Sequence, residues 1–215
     1  MYINASADNC QVHTSWHRPD RQLVAALSVH PTANVGDALD RFGLAHSTVR
    51  ALMPGARCAG PALTVLTREG DVLAVHRALD EAQPGDVLVI NGRGDEARAV
   101  FGDLMAEICL AKGVVGVVID GVTRDVQATA ELGLPVWARG STPAGPTKTG
   151  PGFIGLPVAV GGVVVNPGDI VVADGDGVAV VPQDRAAAVV DRLGDIERLE
   201  DALRARIRTG EAAAG

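Results

Sequence analysis

Asp103 and the adjacent pair Arg124-Asp125 combine two acids and a permanent cation in residue types that could do chemistry together. Carboxylate oxygens are hard ligands suited to Mg²⁺ or Mn²⁺, and Mg²⁺ keeps several waters while taking only one or two protein carboxylates. Asp125 is the first choice for the direct metal ligand. A metal bridging the carboxylate and keto oxygens of a 2-oxo acid would stabilise an enolate as a Lewis acid, and the planar Arg124 guanidinium could share that charge. Gly102 interrupts an otherwise apolar helical pattern at a cost of about 1 kcal/mol relative to Ala, which predicts a break there. The backbone N–H groups of Gly102, Asp103, Leu104 and Met105 would then form a helix N-terminus able to receive an anion. The alternative for Arg124 and Asp125 is an ordinary surface ion pair, a common feature worth about 0–1 kcal/mol.

The surrounding elements decide whether these groups can meet. The pattern predicts a helix over residues 95–113, "DEARAVFGDLMAEICLAKG", then the apolar strand "VVGVVID" and the loop carrying Arg124-Asp125. A helix followed by a strand returns the chain to the neighbourhood of the helix start. A ligand site at the carboxyl end of that strand is where open α/β sheets place one. Further strands are expected at "CAGPALTVLT", "PGDVLVIN" and "PVWARG", with helices at "DVLAVHRALDEA" and "DVQATAELG" between them. This βαβ rhythm implies parallel pairing. Beyond residue 150 short Val-rich runs and close turns predict an antiparallel or mixed β layer, followed by a long amphipathic C-terminal helix. Two short helices, "RPDRQLVAALSVH" and "TANVGDALDRFG", precede the first long strand; Thr32 or Asn34 is expected to cap the second and Gly43 to close it. Residues 1–17 lack periodicity and are expected to form a loose arm, leaving 18–215 as a single layered α/β domain.

Composition narrows the function. The 215-residue chain carries a net charge of −7, which disfavours direct binding of nucleic acid because phosphate contacts need a basic face. Three dispersed cysteines suggest neither a disulfide framework nor a zinc site, so a reducing cytoplasm is expected. The first twenty residues do not read as a secretory signal, and no apolar run is long enough to span a membrane. The glycines at 92, 94 and 102 do not follow the dinucleotide spacing, and "GPTKTG" lacks the order of a phosphate-binding loop. His13 and His17 have HxxxH spacing without the Glu of a zinc protease; His30, His46 and His76 are isolated, so surface or packing roles are expected for all five. Lys148 lies in a Gly/Pro/Thr-rich stretch that predicts an exposed loop and disfavours Schiff-base chemistry. Cys109 falls on an apolar helix face and reads as core.

The segment "FGDLMAEICLAKGVVGVVIDGVTRDV" resembles the 4-hydroxy-4-methyl-2-oxoglutarate and 4-carboxy-4-hydroxy-2-oxoadipate aldolases, a family shared with the regulator of ribonuclease activity A. That family's signature is an Asp, twenty intervening residues and an Arg-Asp pair, which Asp103 and Arg124-Asp125 satisfy without a gap. "TANVGDAL", "PGDVLVING", "PVWARGSTPAGPTKTGPG" and "NPGDIVVADGDGVAVVP" extend the resemblance from about residue 25 to 210. It implies a layered β/β/α "swivelling" fold assembled as homotrimers or dimers of trimers, with sites between subunits. It implies that Asp125 binds Mg²⁺ or Mn²⁺, that Arg124 contacts substrate and enolate, and that Asp103 orients a metal-bound water. The backbone of Gly102 to Met105 would receive the pyruvyl carboxylate. A Glu from a neighbour's C-terminal helix would complete the site, with Glu200 the better match and Glu197 the second. Ala144 stands where relatives commonly carry Arg, a departure that bears on substrate breadth.

The activity implied is a divalent-metal-dependent pyruvate aldolase. It would cleave a 4-hydroxy-2-oxo acid such as 4-hydroxy-4-methyl-2-oxoglutarate to pyruvate and a second oxo acid, with oxaloacetate decarboxylation as a side activity. Two alternatives stand beside it: a non-catalytic regulator that binds a ribonuclease or helicase, and a repurposed member acting on another acid.

Overall fold

The computed structural model describes residues 9–210. The chain runs β1 (Cys10–Val12), α1 (Arg21–Ser28), α2 (Thr32–Ala38), β2 (Arg50–Ala51), β3 (Cys58–Thr67), α3 (Leu73–Glu81), β4 (Val87–Asn91), α4 (Asp103–Lys112) and β5 (Gly116–Thr123). It continues through α5 (Val126–Leu132), β6 (Val136–Ser141), β7 (Gly152–Ile154), β8 (Val158–Val160), β9 (Val163–Val165), β10 (Ile170–Asp174), β11 (Gly177–Val181) and α6 (Ala186–Arg208).

Strands β3, β4, β5 and β6 pair in parallel as the middle of one sheet, with β7 and β1 beyond β3 and β2 beyond β6. Their runs of Val, Leu and Ile are buried on both faces, as parallel strands covered on two sides must be. One face packs on α3 and α4 through Leu63, Ile90, Ile119, Met105 and Cys109. The other packs on the hairpin strands through Val89, Val118, Trp137, Val160 and Val171. β3 links these layers: Cys58–Pro61 pairs with β10, whereas Ala62–Leu66 pairs with β4. A third apolar cluster joins β10 and β11 to α1, α2 and α6. The result is the expected layered β/β/α domain.

Three local expectations are corrected. Residues 9–17 of the predicted arm lie against the domain: β1 pairs in parallel with β7, and the following residues turn back so that Arg18 stacks over Trp16 and meets buried Asp86 at 2.7 Å. Residues 1–8 fall outside the described part. α2 has no side-chain cap at Thr32 or Asn34; the Thr32 N–H instead donates to the distant Asp174 carboxylate at 2.8 Å, and the helix stops at Ala38, before Gly43. Finally, the helix expected over 95–113 starts only at Asp103. Residues 99–101 are held in an extended course because Ala99 N–H donates to Ala144 O and Val100 N–H to Val122 O.

Candidate active site

The late start of α4 builds the site. Phe101 O accepts from Arg124 N–H and from Thr123 Oγ1, both at 3.1 Å, so the chain entering α4 lies along the end of β5. This places Gly102 directly against Arg124 and Asp125. A Cβ at residue 102 would come within 2.8 Å of Asp125 Oδ2 and 3.2 Å of the Arg124 side chain, so a larger residue there would have to displace these two side chains. The sequence signal for a break at Gly102 therefore marks both a helix start and a crossing point.

Asp125 occupies the left-handed region at φ 53° and ψ 39°, a conformation that Asp tolerates better than most residues. Its Oδ2 lies 3.1 Å from Arg124 Nε, and both side chains remain more than a third exposed. Such backbone strain concentrates at functional positions. No side-chain cap bond to α5 engages the Asp125 carboxylate.

Gly102, Asp103, Leu104, Met105 and Arg124 line one cavity of about 420 Å³. Asp125 is not part of its lining; it abuts the cavity from behind Gly102 and Arg124. The anion-receiving backbone is narrower than the sequence suggested. Leu104 N–H donates to Asp103 Oδ1 at 2.7 Å and Met105 N–H to Gly102 O at 3.1 Å, leaving the Gly102 and Asp103 N–H groups without a partner among the described residues. Asp103 thus rests on the helix start where an incoming anion would bind.

Two residues expected to be packing or exposed-loop groups also face this cavity. His76 projects from α3 and Lys148 from the loop after β6. Burial, and then the nearby Lys148 charge, hold His76 below the usual imidazole range. No local pattern could have revealed this pairing, because it depends on the β6–β7 loop folding back over α3. That loop also closes on Arg124: Gly145 approaches its Nη1, and Arg98 Nη1 donates to Gly145 O at 3.0 Å. Ala99 N–H donates to Ala144 O, so residue 144 ties this loop to the cavity-lining Ala99.

Glu200 and Glu197 do not line this chain's cavity. Glu200 pairs with Arg204 one turn along α6 at 2.7 Å, while Glu197 lies 2.9 Å from His30 Nδ1. His13 and His17 lie outside any helix, and Cys109 is fully buried, where burial pushes its thiol up to about 12. Among the described residues, no group of three or more His, Cys, Asp or Glu side chains is arranged to hold a metal ion. Asp125 is instead a single, accessible oxygen donor, the type of site at which Mg²⁺ retains most of its waters.

Comparison with known proteins places this geometry. The family model described as Aldolase/RraA, RraA-like, matches residues 32–180. The chain belongs to the RraA-like family. A relative in Halalkalibacterium halodurans, named provisionally as a 4-hydroxy-4-methyl-2-oxoglutarate aldolase, is 42% identical over 162 residues, covering 75% of this chain and 77% of that protein. The crystal structure of Streptomyces coelicolor RraAS2, described as an unusual member of the RNase ES inhibitor RraA family, aligns with a TM-score of 0.79 at 37% identity, over 88% of this chain and 98% of the other. Thermus RraA, described as an RNA-processing inhibitor, aligns with a TM-score of 0.66 at 30% identity, over 71% and 93% of the two chains. The RraA-like fold is therefore shared by proteins named for an enzyme activity and proteins named for inhibition. Fold membership alone does not choose between them.

Proposed function

We propose that this protein is a class II pyruvate aldolase that cleaves a 4-hydroxy-2-oxo acid to pyruvate and a second oxo acid. The observation that carries the reading is the contact through Gly102, which lets a helix N-terminus, a guanidinium and an accessible carboxylate converge without an intervening side chain. A side chain at residue 102 would stand between the helix start and this pair. The names of the aldolase-like relatives supply the substrate class.

Asp125 would hold Mg²⁺ or Mn²⁺, which when bound supplies Lewis acidity to the keto oxygen. The Gly102 and Asp103 N–H groups receive the pyruvyl carboxylate, joined by the Leu104 amide once the Asp103 carboxylate leaves the helix start. Asp103 then orients the water that accepts the C4 hydroxyl proton. Arg124 stabilises charge that develops as the C3–C4 bond breaks, a role suited to its planar donors. Protonation at C3 releases pyruvate. Loss of CO₂ from oxaloacetate requires the same charge stabilisation and is expected as a side activity.

We assign the assembly as a homotrimer or dimer of trimers. Leu199, Leu203 and Ile207 of α6 are 73%, 40% and 57% exposed, an apolar stripe suited to a second subunit. Glu200 lies beside that stripe and its recorded partner is on its own helix, whereas Glu197 is engaged by His30 from another element. Glu200 is thus the residue assigned to the neighbouring site. The three recorded cysteines are free, in keeping with a reducing cytoplasmic setting. No described helix is long and apolar enough to cross a membrane, and the net charge of −7 opposes a nucleic-acid ligand.

Pyruvate release from 4-hydroxy-4-methyl-2-oxoglutarate and from oxaloacetate, with Mg²⁺ or Mn²⁺ and again with EDTA, tests the proposal. Turnover above the metal's own catalysis that EDTA abolishes supports it. Absence of turnover on both acids, together with capture of a ribonuclease, would favour the inhibitor reading suggested by the names of the structural relatives.

A further inference from the structure

The part of the cavity wall that carries His76 and Lys148 is organised by one buried carboxylate. Asp71 is fully buried between β3 and α3. Its Oδ1 accepts from Leu73 N–H at 3.0 Å and Gly150 N–H at 3.1 Å. Its Oδ2 accepts from Thr147 Oγ1 at 2.7 Å, Thr149 N–H at 2.8 Å and Thr149 Oγ1 at 3.2 Å, with Arg68 Nη2 at 3.4 Å. The backbones join as well: Val72 N–H donates to Thr147 O at 3.0 Å, and Thr147 N–H to Gly70 O at 2.8 Å.

Apart from Arg68, just after β3, these partners fall on two segments. Leu73 is the first residue of α3, one turn before His76, whereas Thr147, Thr149 and Gly150 flank Lys148. Asp71 therefore fixes the two backbones that carry the two basic side chains of the cavity. Lys148 makes no recorded ion pair or hydrogen bond with a protein acid, although it lines a cavity. Its ammonium is available to a ligand. Burial disfavours the charged carboxylate and these donors outweigh it, so its bonds to the loop are integral to the packing.

We propose that Asp71 is a positioning residue that sets Lys148 beside His76, and that this pair recognises a second acidic group on the ligand. The inference rests on the aldolase reading for the position of the first carboxylate. It extends that reading by assigning the residues that separate ligands with two acidic groups from those with one. The titratable and charged side chains that line the cavity are Lys148, His76, Glu107, Arg124 and Asp103. Glu107 places one negative charge on the lining, so recognition depends on Lys148 being held at its post.

Calorimetric titration of the Mg²⁺-loaded protein with pyruvate and with 2-oxoglutarate tests this, because these 2-oxo acids differ chiefly by a second carboxylate. The wild type is expected to bind 2-oxoglutarate about tenfold more tightly than pyruvate, the effect of one well-placed charge-assisted contact. Lys148→Met should bring the affinity ratio close to one. Asp71→Asn should reduce it substantially even though Lys148 remains, a result that a merely structural Asp71 would not give. If Asp71→Asn fails to fold, Thr147→Val removes the hydroxyl that bonds Asp71 and also lies within reach of Gly70 O and Arg68, and should lower the ratio by about two- to threefold. An unchanged ratio in Lys148→Met, or no preference in the wild type, overturns the assignment of Lys148; an unchanged ratio in folded Asp71→Asn, or in Thr147→Val where Asp71→Asn does not fold, overturns the positioning role. The aldolase reading fails separately, by absence of turnover while the binding preference persists. Absence of binding by either acid overturns both.

Discussion

Two parts of the site are built in opposite ways. Asp103, Arg124 and Asp125 are partly exposed and share few contacts with the rest of the protein. Asp71, which ties together the segments carrying His76 and Lys148, is sealed from solvent and saturated by hydrogen bonds from α3 and the β6–β7 loop. The groups proposed to exchange partners during a reaction are under-bonded, while the buried carboxylate is fully bonded. Stability and activity should accordingly respond in opposite proportions when each part is altered.

The largest separation is expected from Asp125→Ala. It should lower metal-dependent pyruvate release by about 10³-fold or more, because the metal's Lewis acidity is lost with its ligand. Its thermal unfolding midpoint should stay close to that of the wild type, since the side chain is exposed and caps nothing. Retention of wild-type turnover would remove Asp125 as the ligand. Gly102→Ala comes next. Its Cβ would force Asp125 and Arg124 away from the α4 start, and displacement of reacting groups by about 1 Å costs on the order of 10²-fold in kcat/KM. Wild-type kinetics in that variant would show that the contact does not set the chemistry.

Asp71→Asn should reverse the pattern. Losing the charged acceptor while burying an amide among N–H donors should cost about 2–3 kcal/mol, measurable by urea unfolding. A loss below 0.5 kcal/mol would mean that the loop is held by its backbone contacts alone.

The smallest difference concerns pH. Burial raises the Asp71 carboxyl, but hydrogen bonds from Thr149, Leu73, Thr147 and Gly150 outweigh it and hold the group below its ordinary 3.8. Its contribution is therefore complete above pH 3.8 and is lost as pH falls through the lower folded value. His76 is likewise held below its ordinary 6.5, by burial and by Lys148, so the unfolded chain binds its proton first as pH falls. Stability linked to His76 is present above pH 6.5 and declines below it. Urea unfolding from pH 7 to 5 should show this decline, and His76→Gln should remove part of it; an identical slope would exclude His76 as a source.

Much of this arrangement was legible in local patterns. Val-rich runs such as "VVGVVID" announced buried parallel strands, and the helix-then-strand order anticipated that Asp103 and Arg124 would face one cavity. Gly102 was also visible as a misfit in a helical pattern. The meeting of His76 and Lys148 was not legible, because it depends on tertiary hydrogen bonds to Asp71, which leave no periodic trace. The early boundary drawn for α4 failed for a related reason. Residues 99–101 have helical composition, but their backbone groups are claimed by β5 and the β6–β7 loop. The arm was misread because three residues of "CQV" carry too little pattern to announce an edge strand.

Mn²⁺ binding followed by electron paramagnetic resonance, in wild type and Asp125→Ala with and without pyruvate, tests the central claim most directly. The account expects one saturable Mn²⁺ per chain in the wild type, a spectrum altered by pyruvate, and loss of both features in the variant. Equal Mn²⁺ binding by the two proteins, or a spectrum insensitive to pyruvate, would contradict it.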